Sequence, residues 1–332
     1  LSGELRDGLG SWTMTANDLD VAKVVSLIPV ALLPDPETLS LDGTVSLKAK
    51  AVTTSEGSRV IADARWTNGS LKSGAFDFKG IAAAVHVDNG PQARAGSTEF
   101  RIDVSSAQGN SSSVQGQFSL RNLDAPELRY AGTVAVELAE YLRWIDVTTW
   151  EEAGGRARGT LGFAQTYPSL EAMGNQGVWG GMWSGSLSLS EGSWRPQGTK
   201  IPVKVGGGQL ELEGQNLKLE GLRLQIGQSD LSVSGQIRNV LNDEGMVHDL
   251  RIASKQLHAS ELLETEVWNA AWTGPEDPNE PEFNDPYRVE LRAGRVHYAD
   301  LHLADVQTVL IGRGLNFSFS QALASLGGGQ VR

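Results

Sequence analysis

From Val203 to Asn239 the chain reads VKVGGGQLELEGQNLKLEGLRLQIGQSDLSVSGQIRN, and apolar residues recur at every second place. Leu210 and Leu212, Leu217 and Leu219, then Leu222, Leu224 and Ile226, then Leu231 and Val233 and, past Gly235, Ile237 keep this period. A helix needs a period of 3.6, so the spacing specifies strands with one apolar and one polar face. Gly, Asn and Asp punctuate the run every few residues, which predicts short strands joined by tight turns. Nothing on these strands carries catalytic chemistry. Such a chain either buries one long apolar surface against itself or presents it to something else.

The remaining composition narrows the choice. With 332 residues the chain can bury one large core or two. Its net charge of -12 argues against nucleic acid, which needs clustered Lys and Arg, and against a polybasic membrane surface. Cysteine is absent, so thiolate metal sites and disulfides are excluded. The most apolar stretch, Val21 to Leu33, is too short to span a bilayer and holds Lys23 and Pro29. No signal peptide is recognisable. Both ends lie within strand-like pattern, so we read the chain as a piece of a longer protein, with any anchor outside it.

Two segments read as copies of one unit, DLDVAKVVSLIPVALLPDPETLSLDGTVSLKAKAV from Asp18 and VELAEYLRWIDVTTWEEAGGRARGTLGFAQTYP from Val136. Each opens with a short amphipathic segment, predicting helices near 20–27 and 138–145. Each continues through an acidic or Pro-containing loop into a Gly-marked strand. A weaker helix is expected from Ser260 to Trp268. Repetition of this kind predicts an array: 1–131 and 132–270 as two β-repeats, 271–288 as an acidic Pro-rich loop, and 289–332 as final strands. The loop from Gly274 to Pro286 carries four prolines and five carboxylates, and Pro cannot pair in a central strand.

Candidate chemistry is sparse. His297 and His302, five apart in strand, are expected on opposite faces, which disfavours a metal pair. Gly206–Gly208 and Gly327–Gly329 lack the Lys-Ser/Thr of a phosphate loop and read as turns or bulges. Glu151 and Glu152 read as a solvated turn, and no Gly-x-Ser-x-Gly elbow is present. Trp179, Trp183 and Trp194 fall in a Gly-rich stretch and either fill a joint or form an exposed stacking platform.

Three pieces carry a family resemblance. Gly221–Asn239, GLRLQIGQSDLSVSGQIRN, resembles a strand pair of the AsmA-like proteins, relatives of TamB. Ser254–Leu263, SKQLHASELL, is similar to the step before that family's variable acidic insertion. Tyr298–Val306, YADLHLADV, followed by Leu326-Gly327-Gly328-Gly329, looks like its ending. The resemblance implies an all-β, mainly antiparallel chain with a few short helices, bent into an elongated twisted groove. It implies a periplasmic, non-enzymatic module of a Gram-negative envelope, anchored to the inner membrane through a segment not in this chain. Its partners would be phospholipid acyl chains and, through other regions, inner- and outer-membrane components; no cofactor is expected. The expected lining is Leu210, Leu212, Leu222, Leu224, Ile226, Leu231, Val233, Phe317 and Phe319. Period alone leaves a closed β-sandwich or barrel open as the architecture. The competing functions are a β-rich carbohydrate-binding or adhesive surface module, with the Trp cluster as platform, and a β-rich enzyme acting on polysaccharide.

Overall fold

The computed structural model describes residues 2–6, 9–25, 39–55, 57–73, 76–140, 150–176, 180–196, 201–240, 245–263, 285–313, 316–326 and 329–331. The chain is all-β and mainly antiparallel, with a few short helices. It divides into two units, 1–136 with 160–183, and 137–159 with 184–332.

In the first unit eight strands follow one another in sequence order: β1 (Ser2–Arg6), β2 (Leu9–Asp20), β3 (Ser40–Thr54), β4 (Gly57–Ser73), β5 (Phe76–Asp88), β6 (Glu99–Gln108), β7 (Ser113–Arg121) and β8 (Glu127–Glu137). Every described pair among them is antiparallel. Two strands, β9 (Trp150–Thr166) and β10 (Met182–Pro196), contribute residues to both units. In the second unit the order continues through β11 (Val203–Gly214), β12 (Asn216–Ile226), β13 (Ser229–Arg238), β14 (Val247–His258), β15 (Pro286–Tyr298), β16 (Leu301–Arg313), β17 (Asn316–Leu326) and β18 (Gly329–Val331). Among the described residues neither run closes on itself: β8 does not pair with β1 or β2, and β18 does not pair with β11. The pair β14–β15 is parallel. A parallel partner requires a long crossover, and the chain between His258 and Pro286 supplies it.

The strands are longer than their glycine punctuation predicts. β3 has 15 residues and β4 has 17. The reason is that several glycines sit in bulges inside strands rather than in turns between them. β12 runs unbroken through Gly221, which has φ 57, and its register against β13 shifts between Leu219 and Leu222. The extra residue keeps Leu219 and Leu222 on one face, so two short apolar runs become one strand. Gly206–Gly208 lies in the matching irregularity of β11. Gly43, with φ 115, marks another in β3. A Cβ there would lie 2.7 Å from Trp66 Nε1 and 2.8 Å from the Gly69 Cα, because the indole lies across both glycines and donates to the Asp42 carbonyl at 3.0 Å.

Three short helices are described: α1 (Val21–Val25), α2 (Leu170–Gln176) and α3 (Ala259–Leu263). Asp20 caps α1, its Oδ1 accepting from the Ala22 N–H at 2.9 Å, and Val21 is buried. Residues 138–140 are also helical. The parts of the expected helices at 26–27, 141–145 and 264–268, and the acidic loop over 274–284, lie outside the described residues; Pro286 opens β15. α2 has no counterpart in the sequence reading; Ser169 caps it, its Oγ accepting from the Ala172 N–H at 3.1 Å. Helical turns thus follow β2, β8 and β14, six strands apart.

Candidate functional site

Cross-strand partners share a face, so the registers assemble the alternating residues into rows. In the second unit one row runs Leu210, Leu219, Gly235, Leu250, Val289, Leu310, Phe319 across seven strands. Its neighbours on the same face are Leu222, Val233, Ile252, Leu291 and Leu212, Leu217, Ile237, the latter reaching Phe317 through His248, Tyr287 and Gly312. Val205, Leu224 and Leu231 form another row, and Ile226 pairs with Val203. All nine expected lining residues therefore stand on one face of β11 to β17.

The opposite face is mostly polar, though β16 places Val309 and the exposed Ile311 on it. Its rows include Glu211, Lys218, Gln236, Asp249, Arg288 and Ser234, Arg251, Glu290. Charges alternate and pair: Lys218 with Glu211 at 3.1 Å, Arg288 with Asp249 at 3.3 Å, Arg292 with Glu290 at 2.7 Å. These exposed pairs add little stability each, but they keep this side wetted.

The first unit repeats the division. One row runs Met14, Ala49, Ala62, Val87, Phe100, Leu120, Leu128; the next runs Ala16, Leu47, Ala64, Val85, Ile102, Phe118, Tyr130. Behind them stands Lys48, Asp63, His86, Arg101, Ser119, Arg129. This second apolar face was absent from the expected lining, although the alternation that makes it is present in the sequence. A depression of about 510 Å³ lies among the charged side chains, bordered by Lys48, Asp63, Arg65, His86, Arg101 and Asp103. It is a gap between long polar side chains, with His86 bonded to Asp63 at 2.7 Å and Arg101 to Asp103 at 3.1 Å.

Exposure decides between a closed core and a presented face. In a sandwich core the middle of such rows is buried. Here Ile102 and Phe118, both in mid-row, are each 37% exposed, and Phe319 is 61% exposed. Val233, between Leu222 and Ile252, and Leu219, between Leu210 and Gly235, are buried. Trp179 lies outside the described residues, while Trp183 is half-buried with its ring 5.0 Å from that of buried Phe163.

The three quoted sequence pieces converge at one end of β13 to β16. Ser229, fully buried, accepts the His258 N–H on its Oγ at 2.9 Å. Asp230 accepts from the N–H groups of Gln256 at 2.8 Å and Lys255 at 3.1 Å, and from the Ser254 hydroxyl at 3.3 Å. Burial pushes the Asp230 carboxyl up, but these donors outweigh it and hold the group below the usual carboxylate range. Glu261 of α3 accepts from the Gln228 N–H at 2.8 Å and its side-chain amide at 3.2 Å. These residues splice the end of β14 to the start of β13.

His297 and His302 do not face opposite sides. The chain reverses at Ala299 and Asp300, so the two become direct cross-strand partners with Nδ1 atoms 2.7 Å apart. His258 stacks on His297 from the other side. Stacking keeps the three from converging on one ion, and among the described residues no group of three or more His, Cys, Asp or Glu is arranged to hold a metal. Among the described residues no helix is long and apolar enough to cross a membrane. Comparison of the chain with protein-family models, with curated proteins and with solved structures found no match.

Proposed function

We propose that this chain is a lipid-binding, lipid-conducting module of a periplasmic AsmA-like envelope protein, without enzymatic activity, that supports phospholipid transport between inner and outer membranes and outer-membrane integrity. The observation that carries the reading is the pair of apolar faces, continuous over seven strands in each unit, whose mid-row or end-row large side chains stay exposed. A two-chain phospholipid has on the order of 30 methylenes, each worth ~0.8 kcal/mol on leaving water. Its passage through water therefore faces a barrier of roughly 20 kcal/mol. A run of Leu, Ile, Val and Phe with water on its reverse side removes that barrier and needs no reacting group. The sequence resemblance supplies the compartment and the membrane partners, and both belong to the proposal.

The test is photo-crosslinking in living Gram-negative cells, read by mass spectrometry. A crosslinking residue at Leu224 or Phe317 is expected to capture phospholipid, and one at Arg223 or Ser318, across the sheet, is expected to capture little. Equal capture from the two faces, or capture from neither, overturns the reading.

A further inference from the structure

Three of the five histidines stand in one cross-strand row at the end of β14, β15 and β16. The rings of His258 and His297 are stacked, 4.7 Å between centroids and 17° from parallel. His302 meets His297 edge-on, 4.8 Å away at 72°. We propose that this row is a proton-sensitive clasp: neutral, it holds the ends of the three strands together, and protonated, it drives them apart.

The geometry tolerates few protons. At 2.7 Å the two Nδ1 atoms of His297 and His302 share a single hydrogen, one ring donating and the other accepting. With both rings charged, two N–H donors point at each other. The Gln256 amide donates to His258 Nε2 at 2.6 Å, a bond that a charged ring cannot accept. A charge on His258 also faces His297 across the stack.

His302 is exposed to water, and His258 and His297 are half-buried. Arg295 of β15 and Lys255 of β14 are cationic. Glu261 of α3 and Asp230 of β13 are engaged by Gln228 and by the 254–256 segment. Tyr298 and Asp300 lie at the turn and Asp305 in β16. Among the described residues no carboxylate pairs with any of the three rings, whereas His86 has Asp63. Burial, then His258, His302 and Arg295, pull His297 below the ordinary histidine value.

The sign follows. A depressed imidazole contributes stability that is present above about pH 6.5 and lost as pH falls through the folded value. The clasp spans the parallel joint β14–β15 at the last pair of its ladder, where no tight turn ties the two strands. The device operates whatever the apolar faces bind.

The experiment follows the imidazole resonances of the whole chain by NMR between about pH 8 and 5, with backbone amide protection from Val296 to Leu303 corrected for intrinsic exchange. Expected is a His297 ring that titrates below free histidine, with protection falling at least about tenfold as pH drops through that value. In His302→Gln protection is expected to fall less than about threefold over the same range. Titration of His297 at the free value, or flat protection in the unaltered chain, overturns the proposal. So does an undiminished loss in His302→Gln. If that variant does not fold, His258→Asn serves in its place under the same criterion.

Discussion

Replacing Leu224 by Arg separates a presented face from a closed core. Leu224 is half-buried between Val205 and Leu231. Full burial of a leucine side chain is worth about 1.5–3 kcal/mol, so a half-buried one forfeits roughly 1–2 kcal/mol on removal. On an uncovered face the arginine stem re-covers part of that area and its guanidinium reaches water. The expected cost is then about 1–2 kcal/mol, or a few degrees of melting temperature for a unit of this size. In a closed core the same substitution buries an unpaired charge, and loss of several kcal/mol abolishes folding. For a bound acyl chain, losing contact over about five methylenes removes roughly 4 kcal/mol, close to a thousandfold in occupancy. The assay pairs thermal unfolding with photo-capture of lipid from Leu222, one residue pair away. Arg223→Leu, on the polar face, is the control and is expected to leave capture unchanged. A Leu224→Arg chain that cannot fold assigns the residue to a core, and one that captures lipid undiminished removes it from the path; either result refutes the argument.

Gly43→Ala places a Cβ against Trp66 Nε1 and the Gly69 backbone at φ 115, and is expected to cost about 2–4 kcal/mol in denaturant unfolding. Gly221→Asn, at φ 57 with nothing within 4 Å of its Cβ position, is expected to cost under about 1 kcal/mol; equal costs would refute the account of the indole. Asp88 accepts Arg59 Nε at 3.1 Å and Nη2 at 2.6 Å, and the bond from Arg59 holds its carboxyl below the usual range against the effect of burial. Its contribution is present above about pH 4 and lost as pH falls through the lower folded value, so Asp88→Asn should cost about 1 kcal/mol at neutral pH and nothing in strong acid. Asp230→Ala leaves the Gln256 and Lys255 N–H groups without their acceptor and is expected to cost about 2–3 kcal/mol, whereas Asp249→Ala, in an exposed pair, is expected to cost under about 1 kcal/mol; the two compared by denaturant midpoint check the splice.

What was legible in the sequence is what depends on neighbours along the chain. Alternation over Leu210–Val233 fixes which side chains share a face, because the strand period is two and each tight connection preserves it. Register between distant strands is not local. The row from Leu210 to Phe319 could be recovered only once six pairings were known, and its continuity depends on bulges at Gly207 and Gly221 that look, in sequence, like ends of strands. The same limit explains the histidines. Counting five residues along one strand puts His297 and His302 on opposite faces, but a reversal at Ala299-Asp300 converts odd spacing into direct opposition. His258 joins them only through the parallel pairing, whose crossover hides its partner from any short window. In sequence the GQSD piece and the SKQLHASELL piece are separate patterns. Their joint meaning is that Ser229 and Asp230 supply acceptors for the N–H groups of His258, Gln256 and Lys255, while Glu261 returns one to Gln228. Polar residues at these places meet hydrogen-bonding needs of a strand end that the ladder leaves open. They therefore belong to the scaffold that aligns the apolar rows.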